Sequence, residues 1–139
     1  MYVQIGRYRD DEEPREEHVV IHQYDTWNMD HTLALIILPM LKQLKETTHG
    51  APAVEEKDVP IELHIPPDQI MGIYQGETDD NYFKRWEYVL DEMIYAFDCK
   101  AHLDEPYIRI EDIEEAKKEQ ARISNGFRLF GKYYEGLWD

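Results

Sequence analysis

The stretch from Met29 to Gly50, MDHTLALIILPMLKQLKETTHG, constrains the fold of this chain more than any other. Leu33, Ile37, Leu41 and Leu44 recur at helical spacing as one apolar stripe, and Leu35, Ile36 and Leu38 fill most of the opposite side. A helix apolar nearly all round needs cover on several sides, which predicts that it is the central helix of the core. Asn28 and Asp30 are candidate caps at its start. Lys45, His49 and Gly50 suit the negative end of a helix and a left-handed stop. Pro39 has no amide hydrogen and crowds the carbonyl of Leu35, which predicts a kink there.

A chain of 139 residues with 42% hydrophobic content is enough for one domain, 1–139, with a sizeable core. Asp plus Glu number 30 against 15 Lys plus Arg, a formal charge of −15. That field repels phosphate backbones and anionic lipid, so direct nucleic-acid binding and membrane attachment are disfavoured; it favours basic partners or cations. The run Asp10 to Glu17, DDEEPREE, reads as a solvated loop. Cys99 is the single cysteine, which excludes an intrachain disulfide and a cysteine-based zinc cage and fits a reducing cytoplasm. The apolar run Leu33 to Leu41 is roughly half a membrane span, and the first residues lack a basic-then-apolar leader, so the chain is expected to be neither secreted nor membrane-embedded.

Before the first helix, Val3 and Ile5 alternate with polar neighbours and His18 to His22 is β-branched in its middle, predicting a short hairpin within residues 1–24. Tyr24 and Trp27 stand where aromatics pin an entering chain against the core, Trp27 being the candidate ligand contact of the two. Residues 51–78 carry Pro52, Pro60, Pro66, Pro67, Gly72 and Gly76, which no long helix survives. They predict a long Pro-rich connection with a short helical turn after Pro60, of the kind that forms lids or partner surfaces. A second helix is expected over 80–98, with Phe83, Trp86, Leu90, Met93, Ile94 and Phe97 on one side. Pro106 then interrupts, Tyr107 to Ile110 read as extended, and a last helix is expected over 112–137. The fold class is mainly α: a three-helix core with a kinked central helix.

On the last helix the expected core face is Ile113, Ala116, Gln120, Ile123, Phe127, Phe130, Tyr134 and Leu137. Arg122, Asn125, Leu129 and Tyr133 form a second stripe roughly opposite Phe127, with Arg128 and Lys132 nearby. Positive charge with aromatic surface in an acidic molecule suits a small anionic ligand or a homo-oligomer interface. The bland alternative is that Leu129 and Tyr133 lie beneath the middle segment. Catalytic motifs are scarce. Asp30, His31 and Glu92 are weak metal candidates. Adjacent Asp91 and Glu92 point about 100° apart on a helix, and HExxH and paired ExxH motifs are missing. Glu92 reads as a surface charge or a partner for Arg85. Ser124 lacks a GxSxG elbow, no phosphate loop occurs, and no cofactor is implied; the glycines of GFRLFGKYY suit close packing.

Three blocks, YDTWNMDHTLALIILPMLKQLKETTHGAP, DNYFKRWEYVLDEMIYAF and ARISNGFRLFGKYYEGLWD, resemble in that order a family of small uncharacterised proteins encoded by tailed bacteriophages. The resemblance covers roughly half the chain and implies a virus-encoded protein acting in a bacterial host cytoplasm; it implies no catalytic residues. The expectation is a non-enzymatic phage accessory protein that binds a host molecule, such as a nucleotide signal of host defence held by sequestration. The alternatives are an acidic inhibitor imitating nucleic acid and a metal-dependent hydrolase. Arg and Tyr in a closed pocket would favour the first, carboxylates over one continuous surface the second, and three convergent metal ligands the third.

Overall fold

The computed structural model describes residues 1–102 and 112–139, so the extended segment expected at Tyr107–Ile110 lies outside the described residues. In chain order the elements are an antiparallel hairpin of β1 (Tyr2–Ile5) and β2 (Glu17–Val20), then α1 (Met29–Thr47), the short α2 (Ile70–Tyr74), α3 (Tyr82–Ala101) and α4 (Ile113–Lys132). The chain is mainly helical with a short N-terminal hairpin, in which Tyr2 pairs with Val20 and Ile5 with Glu17.

The helix with partners on both sides is α3, not α1. α3 packs against α1 on one flank and α4 on the other, while α1 and α4 make few direct contacts. Trp86, Val89, Leu90, Met93, Ala96 and Phe97 are buried along it, each large side chain contributing about 1.5–3 kcal/mol by leaving water. α1 buries only Ala34, Leu38 and Leu41; Ile37 and Leu44 are half-buried, and Leu33, Leu35 and Met40 are exposed. The expectation of a central α1 is therefore corrected. Apolar content in one unbroken run measured how much cover α1 could use, whereas α3 spreads its apolar and aromatic residues over two faces, each with a partner helix, and places polar ones between them in ion pairs. Asp91 accepts from Lys45 at 2.5 Å, and Asp98 lies 3.9 Å from Lys42.

α1 runs unbroken through Pro39, which faces solvent. Its end differs from the expected left-handed glycine stop: Thr48 turns extended, and its amide donates to the carbonyl of Leu44. At the start of α4 the Asp112 carboxylate caps the helix by accepting from the amides of Glu114 and Glu115.

The middle segment forms single 3-10 turns at Glu56–Asp58, Ile61–Leu63 and Pro67–Gln69, as its prolines require. It is firmly tied down. Val54 and Val59 enter the core, the Tyr82 hydroxyl donates to the carbonyl of Ala51 at 3.0 Å, and Asn81 Nδ2 donates to that of His64 at 2.9 Å.

Candidate functional site

The site residues expected on α4 converge, but on the chain's own carboxylates. Arg122, Gly126, Leu129 and Tyr133 form the row of α4 that approaches α3. Gly126 marks the closest approach: a Cβ there would lie 2.5 Å from the Ala96 Cβ and 2.6 Å from the Glu92 carbonyl oxygen. The missing side chain lets the two helices meet and carries Leu129 and Tyr133 into the core, Leu129 completely buried. These two are therefore not on a free face, which corrects the expectation of a second, open stripe. Phe127 and Phe130 sit half-buried beside them and meet Phe97 edge to face, at ring distances of 5.1 and 4.9 Å.

The cations next to that row face Asp58, which the middle segment delivers. Its buried carboxylate accepts from Lys132 Nζ at 2.5 Å, the Tyr133 hydroxyl at 2.6 Å and Arg128 Nη2 at 2.8 Å. Burial opposes its ionisation, yet these three donors prevail and hold the carboxyl down from 3.8 to about 2. Lys132 also meets Glu55 at 3.0 Å, and Asn125 accepts from Arg128 at 2.9 Å. Burial, then the bond to Asp58, pushes the Tyr133 phenol up. Arg and Tyr do form an anion-binding cluster here, and Asp58 occupies it. Asp58 was not legible as a site residue, because an acidic residue in an acidic loop carries no periodic signal.

Arg122 makes a bidentate pair with Glu92, at 2.9 and 3.0 Å, and stacks over the Tyr95 ring at 3.6 Å. Glu92 is thus neither a free surface charge nor the partner of Arg85. Arg85 instead grips Asp79, with donor distances of 2.7 and 2.8 Å in a buried fork, and the Arg85 guanidinium keeps that carboxyl below its ordinary range. The metal candidates do not converge: Asp30 pairs with Lys100 at 2.9 Å, the His31 ring lies 3.1 Å from the carbonyl of Ala101, and Glu92 belongs to Arg122. Among the described residues no group of three His, Cys, Asp or Glu side chains is placed to hold a metal ion. Burial raises the Cys99 thiol, the wrong direction for a nucleophile. Trp27 is 77% exposed and meets Tyr24 edge to face, so it pins the chain less than its position implied.

Apolar side chains are exposed at several places, the hairpin among them, and two of these surfaces bear on binding. One lies where α2 meets the start of α3: Ile61, Met71 and Tyr74 are 77%, 69% and 83% exposed. Around them stand Glu62, Asp68, Glu77 and Asp80, none of which has a cation partner among the described residues; the Gln69 amide joins this end by exchanging two 2.8 Å hydrogen bonds with Asp80. The other is a groove of about 770 Å³ between α1 and the end of the chain, walled by Ile37, Met40 and Leu44 on one side and Phe130, Tyr134 and Leu137 on the other. No helix among the described residues is long and apolar enough to cross a membrane. No family model, no curated protein and no solved structure matches this chain.

Proposed function

We propose that the chain is a non-enzymatic, virus-encoded accessory protein that acts in the bacterial host cytoplasm by binding a basic host protein. The observation that carries this reading is the end formed by α2 and the start of α3. There, exposed Ile61, Met71 and Tyr74 supply apolar and aromatic anchors, and Glu62, Asp68, Glu77 and Asp80 supply negative charge not neutralised within the described residues. Interfaces draw affinity from a few such anchors and orientation from complementary charge, and the −15 of the whole chain speeds encounter with a basic surface.

Sequestration of a nucleotide signal has less support, since Arg128, Lys132 and Tyr133 already hold Asp58 and an incoming phosphate would have to displace it. The test is recovery of the tagged chain from infected cells, with native mass spectrometry of what it retains. A basic protein should be retained at low salt, released as salt rises, and lost from the double charge reversal Asp68→Lys, Glu77→Lys. Retention of a nucleotide, or of a protein whose binding survives the reversal, overturns the reading.

A further inference from the structure

The groove between α1 and the end of the chain has the opposite character from the acidic end. None of its lining residues is charged. The eleven residues His31 to Leu41 on α1 contain no Asp, Glu, Lys or Arg, in a chain with 30 acidic residues. Met40 at its lip is 66% exposed, and Leu33 lies uncovered further along the same side of α1. Large apolar side chains left in water at helical spacing represent binding energy not used within the chain.

We propose that a second copy of this chain occupies the groove, the α1 of each copy lying along the groove of the other. The charge pattern selects this occupant. A basic partner would be met by carboxylates, and the lining has none. Two molecules of charge −15 repel least where both present uncharged surface, and the stretch His31–Leu41 of α1 with the groove lining is such a surface. The patch is also self-complementary, because the ridge of α1 and the groove beside it are neighbours on one surface, which is what a two-fold interface requires.

Light scattering of the purified full chain, across concentration and salt, decides between occupants. The expected mass is twice the 16.7 kDa of one chain. Raising salt from about 0.1 M to about 1 M shortens the Debye length from about 10 Å to about 3 Å and should tighten the pair, whereas it would weaken a basic partner. Met40→Glu places a carboxylate at the lip of the uncharged groove in both copies and should weaken the pair by on the order of a hundredfold or more, with an unchanged circular-dichroism signal. Tyr134→Ser should weaken it independently, while Met71→Glu, on the acidic end, should leave the mass unchanged. A monomer at every concentration and salt, a dimer indifferent to Met40→Glu, or one lost with Met71→Glu would each overturn the proposal.

Discussion

The two flanks of α4 close against the molecule by opposite chemistry. On one, Arg128 and Lys132 meet the buried carboxylate of Asp58, and the middle segment is tied down by charge-assisted hydrogen bonds. On the other, Phe130 and Tyr134 face α1 across a groove that nothing among the described residues fills. Buried ionic groups demand partners, because an unpaired charge out of water is costly, so the first flank had to be completed internally. Apolar side chains can remain partly exposed at a cost of a few kcal/mol spread over many atoms, so the second flank can wait for another molecule. The difference teaches that the cation-rich face of α4 is structural, while its uncharged face is left open among the described residues.

The sharpest way to break this comparison is to test whether Leu129 belongs to the closed side. It is completely buried between α4 and α3. Leu129→Ala should cost about 2–5 kcal/mol in denaturant unfolding. A cost below about 1 kcal/mol would return Leu129 to an open face.

Acid probes the ionic flank next. The Asp58 carboxyl is depressed from 3.8 to about 2 by its donors, so its contribution is complete above the unfolded value and is lost as pH falls through the folded one. The depression corresponds to at most about 2 kcal/mol, because Arg128 and Lys132, which supply much of it, are partly exposed and solvent screens their charge. Asp79, also depressed, loses its contribution in the same direction. Stability should therefore hold from pH 7 to about 5, where repulsion among surface carboxylates relaxes, and fall between about 4 and about 2. In Asp58→Asn that acid limb should be shallower by the same amount; an unaltered limb would mean the cluster does not anchor the middle segment.

The smallest effect belongs to the open groove. Met40→Ala should change the unfolding free energy of the monomer by no more than about 0.5 kcal/mol, because the side chain is mostly in water. Measured at concentrations where only monomer is present, a larger loss would show that Met40 packs within its own chain.

Much of the fold was legible in local sequence. Period-2 and helical patterns located the hairpin and three long helices, prolines limited the middle segment to single turns, and Asp112 marked the start of α4. The candidate site was legible only as a list of residues. Arg122, Asn125, Arg128, Lys132 and Tyr133 were marked as charge and aromatic surface on one helix, but Glu92, the partner of Arg122, and Asp58, the partner of Arg128, Lys132 and Tyr133, lie 30 and 70 or more residues away.

What the sequence determined by itself was which residues become helix and how much apolar surface each helix carries, since both follow from dihedral preference and spacing over a few turns. Which helix is central, and which face of α4 is covered, were decided only in the tertiary structure. Gly126 adds nothing to an apolar tally, yet its missing Cβ sets the closest approach of α4 to α3 and thereby buries Leu129 and Tyr133. The physical reason is that close packing depends on the shape of two surfaces brought together, while periodicity records the composition of only one.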